Sequence, residues 1–159
     1  MAVKWHMSDT TTEAMVPRPR PGEEEPPPGR PAARSRTWPL TLLRTIALLF
    51  VFDTLLQAAL AGLFITGDVR FLDLHVANAQ VLAALVLVEA VAALLVWRSM
   101  KGPAWPFALA VGLVVLVGVQ MWLGAARLVG GHVPLALGVF GAGVALACWA
   151  CTYKDQEGG

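Results

Sequence analysis

Charge is scarce in this 159-residue sequence: Asp, Glu, Lys and Arg make up 14% of it, against about a quarter in a soluble globular domain. With 57% hydrophobic residues and a mean hydropathy of +0.63, that shortage excludes a single domain folded in water. A surplus of either sign is missing too. The net charge of +1 leaves no basic face for a phosphate backbone, so nucleic acid is not an expected partner. Cysteine is limited to Cys148 and Cys151, spaced C-x-x-C. Two thiolates do not make a structural zinc site, which takes four ligands, so no metal site is expected and the pair reads as free thiols packing as small hydrophobes. Zinc or redox use is the competing reading. No Gly-rich phosphate loop, nucleophile elbow or paired metal-ligand helix motif occurs, so no catalytic residue is nominated and the chain is not read as an enzyme.

The charges that are present are unevenly placed. Six of the 12 basic and five of the 11 acidic residues fall in the first 36 positions, together with seven prolines and the run Glu23, Glu24, Glu25. Such a stretch has too little apolar surface to offset the entropy of ordering, so residues 1–37 read as a Pro/Arg/Glu-rich tail, disordered on its own. No apolar stretch precedes residue 40, so the tail is not a secretory signal.

After Trp38 come four apolar runs at about 40–65, 76–97, 104–126 and 132–153, each near the roughly 20 residues that cross a hydrocarbon core. Backbone groups in lipid must pair internally and four runs cannot close a barrel, so helices are expected. Short connections make neighbours antiparallel, which gives an all-α, four-transmembrane-helix, up-down-up-down bundle, with 154–159 a short C-terminal tail. Arg30, Arg34, Arg36, Arg44, Arg98, Arg70, Lys101, Arg127 and Lys154 set its orientation. Only Arg70 and Arg127 fall on the other side from the rest, so the positive-inside rule puts both termini in the cytoplasm. Ala, Val, Gly and Arg usage points to a bacterium, hence to its plasma (inner) membrane. Trp38, Trp97, Trp105 and Trp149 fall at the cytoplasmic boundary, where an indole buries its ring and keeps its N–H wet.

Helix 4 carries Gly138, Gly141 and Ala145, the last two in small-x-x-x-small spacing. Small residues let backbones approach closely, which reads as tight packing within the bundle, with a partner helix as the alternative. Two acids lie deep in the spans: Asp53, nine residues after Arg44, and Glu89, nine before Arg98. Each is then about 13 Å from the cytoplasmic boundary, so antiparallel helices would set them at one depth, where they could share a proton. Asp53 and Gln57 are four apart on one helix face, and Gln120 is the corresponding intramembrane amide on helix 3. The bland reading of these groups is polar glue between helices.

His75 stands at the start of helix 2 and His132 at the start of helix 4. Alternate helices of a bundle run parallel, so the two imidazoles could face each other across the core and ligate a haem from both sides. The alternative is an interfacial histidine bonded to water or a loop carbonyl. The pair belongs to a faint repeat: Gln57-Ala58-Ala59-Leu60-Ala61-Gly62 and later His75-Val76-Ala77 match Gln120-Met121-Trp122-Leu123-Gly124-Ala125 and later His132-Val133-Pro134.

A helix with this glutamine motif, a short outer turn and a histidine opening the next helix, all occurring twice, resembles one four-helix half of the haem A synthase family over about residues 41–151. The resemblance implies a helical bundle whose histidine pair holds haem, with His75 and His132 in the ligand positions. The first outer loop has no cysteine pair, and Leu72 stands where the family has an acid three residues before the histidine, Asp73 being the nearest carboxylate. Haem A synthesis is accordingly not expected.

Three functions follow. The leading expectation is a non-catalytic accessory or assembly subunit of a larger membrane complex. The resemblance suggests the respiratory chain, at a cytochrome complex or oxidase. Its partners would be the lipid bilayer and other integral membrane subunits, and it needs no cofactor. The alternative is a bis-histidine b-type haem protein using His75 and His132 for electron transfer or haem handling. The third is a small proton-coupled carrier using Asp53 and Glu89.

Overall fold

A computed structural model describes residues 37–154. The expected tail falls, but for Thr37, outside the described residues, as does the chain after Lys154. Four helices account for nearly all of the rest: α1 spans Trp38–Ile65, α2 Arg70–Ser99, α3 Trp105–Ala125 and α4 Val129–Thr152. Each is long and apolar enough to cross a membrane, so the chain is a multi-pass membrane protein in contact with lipid.

Local chemistry explains the helix ends. α1 and α3 both open on Trp-Pro, with Pro39 and Pro106 in the first turn, where the missing N–H has no intrahelical partner to lose. Each turn between helices contains one residue with positive φ: Gly67 at 113°, Lys101 at 53° and Arg127 at 60°. The last two reverse the chain with wide backbone bonds, Gly102 N–H to Val96 O at 3.3 Å and Leu128 N–H to Leu123 O at 2.9 Å. These bonds satisfy carbonyls that a helix end leaves without a partner.

α2 and α4 begin earlier than hydropathy suggests, at Arg70 and Val129 instead of about 76 and 132. Arg70, Asp73 and His75 are polar, and a polar first turn looks like a loop on a hydropathy scale although it is helical. Asp68, two residues before α2 begins, accepts the Arg70 N–H at 3.1 Å and pairs with its guanidinium. That guanidinium holds the Asp68 carboxyl below the usual carboxylate range.

α1 packs on α2 and α4, and α3 packs on the same two, so α2 and α4 face each other across the bundle axis. The core repeats at three- and four-residue spacing: Leu43, Ala47 and Phe50 on α1, Val86, Ala93 and Val96 on α2, Ala110, Leu113 and Val117 on α3, Val139, Leu146 and Ala150 on α4. Phe50 lies against Gly143, where a Cβ would come within 2.7 Å of its ring. Arg44, expected only as a boundary charge, reaches the far end of α4. Its Nε donates to Ala150 O and its Nη2 to Tyr153 O, both at 2.7 Å, capping carbonyls at the negative end of the helix dipole.

Of the two readings of the small residues, packing within the bundle is not what the structure has at these positions. Gly138, Gly141 and Ala145 face outward, and a Cβ on either glycine would meet nothing within 4 Å. Gly143 does the packing inside the bundle, because it is the glycine on the face turned toward α1. Residue spacing shows which positions share a face but not which way that face points.

Candidate functional site

Following the core stripe of each helix toward the α1–α2 and α3–α4 turns, the residues change from apolar to polar at one level. After Phe50 the α1 stripe continues through Asp53 and Gln57. On α2, Val86 and Leu82 give way to Asn78 and His75. On α3, Leu113 and Val117 lead to Gln120, and on α4 Val139 leads back to His132. Polar groups at this depth are costly unless paired, so their bonds define the site.

The structure brings His75 and His132 together, with ring centroids 6.4 Å apart and planes inclined at 61°. Each ring is held by the preceding helix in the same way. His75 Nδ1 lies 3.2 Å from the backbone oxygen of Gln57, whose side-chain amide donates to His75 O at 3.0 Å. His132 Nδ1 lies 3.0 Å from the backbone oxygen of Gln120, whose amide donates to His132 O at 2.8 Å. A carbonyl oxygen only accepts, so Nδ1 carries the proton in both neutral rings and the lone pair sits on Nε2. Two glutamines thus fix the tautomer and orientation of two imidazoles.

The two halves differ in detail. Asn78 Nδ2 donates to Gln57 Oε1 at 2.9 Å, and Gln57 Nε2 also lies 3.3 Å from His75 Nε2. Gln120 Oε1 is buried with no partner among the described residues, because the position matching Asn78, three residues after its histidine, is Leu135. Gly124, one turn after Gln120, gives the His132 ring its place: a Cβ there would lie 3.1 Å from Cε1 and 3.4 Å from Nδ1. Asn78 and Gly124 fall within the repeat, which assigns neither a role beside a histidine. The step of four after Gln120 is the signal that could have found Gly124, since it stacks that residue over the amide.

The acids are placed differently from the expectation of one shared depth. Gln57 meets His75 and Asn78, and this register sets Asp53 level with about residue 80 and Glu89 level with about residue 45. The two carboxyls are then roughly 12 Å apart along the bundle at 1.5 Å per residue. The expectation counted from Arg44 as a boundary marker, whereas Arg44 lies level with Glu89. Gln57 makes no side-chain bond to Asp53, its amide being committed to His75 and Asn78. Glu89 is fully buried, and neither of its carboxyl oxygens has a partner among the described residues; Asp53 Oδ2 likewise has none. Cys148 and Cys151 are free and exposed. Among the described residues no cluster of three or more His, Cys, Asp or Glu could hold a metal ion.

The donor set at the site is therefore two imidazoles. Two metal–nitrogen bonds of about 2.0–2.1 Å, with roughly 1.2 Å from each nitrogen to its ring centre, would set the centres about 6.4 Å apart. The observed centroid separation has that length. Two protein nitrogens suit an iron whose remaining positions a porphyrin fills. An open groove of about 340 Å³ runs between α1 and α2, lined by Leu56, Leu60, Leu74, Ala77, Asn78 and Val81 and by neither imidazole. No protein-family model, curated protein or solved structure matches the chain.

Proposed function

We propose that this chain is a b-type haem protein of the bacterial plasma membrane, with His75 and His132 as the two axial ligands and electron transfer or haem handling as its task. The observation that carries the reading is the pair of imidazoles 6.4 Å apart, each with Nδ1 tied to a glutamine carbonyl, which puts the lone pair on Nε2; at His75 the Gln57 amide, 3.3 Å from Nε2, would yield that lone pair to the iron. Structural interface histidines need no such matched restraint, and a ligand histidine whose second nitrogen donates to a carbonyl is the usual support for a metal. Haem b, when bound, supplies one-electron redox chemistry. The chain's residues orient the ligands and exclude water with the apolar core below.

In this reading the helices run up, down, up, down with both termini cytoplasmic, as the basic residues favour, and the haem lies near the outer face. Membership of a larger respiratory complex, the leading expectation from sequence alone, is compatible with a haem carrier. Co-purifying subunits would report it.

The test is the absorption spectrum of the full chain purified in detergent from haem-replete cells. A Soret band with the sharp reduced bands of six-coordinate haem supports the proposal, as does loss of that coordination in His75→Ala and in His132→Ala. A colourless wild-type protein overturns it.

A further inference from the structure

The repeat that relates His75 to His132 by 57 residues also relates the basic residues at that end of the bundle. Arg70 precedes His75 by five positions and Arg127 precedes His132 by five. In the proposed orientation they are the only Lys or Arg on the outer side among the described residues, where the topological bias disfavours basic residues. In α2, five residues correspond to about 7.5 Å of helix rise beyond His75, on the scale of the distance from a porphyrin's iron to its carboxylate edge, while Arg127 lies in the α3–α4 turn two residues before α4 begins.

What such an arginine holds is visible in the α2 copy. The Arg70 guanidinium takes a carboxylate in a two-point grip, Nε to Asp68 Oδ1 at 3.0 Å and Nη2 to Asp68 Oδ2 at 2.7 Å. The α4 copy lacks that acid. The position matching Asp68 is Ala125, and Arg127 makes no side-chain bond or ion pair among the described residues. An arginine recurs five residues before each histidine, at the start of α2 with a carboxylate beside it and in the α3–α4 turn without one. Resting on the haem reading, we infer that Arg127 and Arg70 form a clamp for the two propionate carboxylates of the haem. Arg127 takes one directly, and Arg70 takes the other by releasing Asp68. Guanidinium suits this because its planar fork matches a carboxylate in two-point geometry. Haem thereby enters with its apolar edge toward the core and its acids toward the α1–α2 and α3–α4 turns.

The test uses the full chain in detergent, stripped of haem and titrated with haem b and with its propionate dimethyl ester. Wild type is expected to prefer the free acid by about tenfold or more. Arg127→Gln should shrink that preference severalfold and lower the haem midpoint potential, since a positive charge near the iron favours the reduced state, while its spectrum stays six-coordinate. Arg127→Lys should restore part of both effects, and Asp68→Asn should strengthen binding of the free acid by freeing Arg70. Equal affinity of wild type for acid and ester, or an unchanged preference in Arg70→Gln/Arg127→Gln, overturns the clamp and leaves the histidine ligation standing. Binding of neither compound by wild type overturns both.

Discussion

Gln57 and Gln120 hold their histidines alike, yet their replacement by leucine should have different consequences. Gln57→Leu removes the bonds to His75 O and His75 Nε2 and the bond that Gln57 Oε1 accepts from the Asn78 amide, which keeps the Asp53 carboxyl as an acceptor. Side-chain hydrogen bonds inside membrane bundles average about 0.6 kcal/mol, so the loss of these bonds is expected to cost roughly 2 kcal/mol. Gln120→Leu removes one bond, to His132 O, but also removes the partnerless Oε1. Those terms offset, for a net of about 0–1 kcal/mol. Unfolding of the haem-free variants by SDS titration in mixed micelles, followed by helical circular dichroism, measures the difference. Equal destabilisation by the two substitutions would refute the asymmetry and, with it, the role assigned to Asn78.

Other positions give further outcomes. Gly143→Ala drives a methyl into the Phe50 ring and should cost about 1–3 kcal/mol in the same titration, whereas Gly141→Ala, with open space around it, should be within about 0.5 kcal/mol of wild type. Glu89→Leu replaces a fully buried acid whose oxygens have no partner. It should stabilise the bundle by about 1–3 kcal/mol, and destabilisation would mean that the carboxyl has a partner. Arg44→Gln loses two charge-assisted bonds to the end of α4. Hydrogen exchange at 149–153 should speed up by at least about tenfold while exchange in mid-α2 stays as it was.

Hydropathy read the number of helices and their approximate extent, because an apolar run of spanning length has few other uses. It misjudged the start of α2 for a physical reason: Arg70, Asp73 and His75 are polar but helical, and Asp68, two residues before the helix, acts through a side-chain bond that no hydropathy window registers. The meeting of His75 and His132 was legible in the repeat, since residues at matching places on alternate helices come level. Their glutamine clamps were not, because half of each clamp is a backbone carbonyl and leaves no trace in residue type. Arg44 misled for the opposite reason. A long side chain carries its charge well away from its Cα, so its position in the chain marked neither the membrane boundary nor the depth of Asp53 and Glu89.

The most direct test of the paired-imidazole site is the electron paramagnetic resonance spectrum of the oxidised, purified chain. The account predicts a low-spin ferric signal of bis-imidazole type in wild type, converted to high spin by His132→Ala and restored in that variant by added imidazole. A wild-type signal that is high-spin, or one that His132→Ala leaves unchanged, would contradict it.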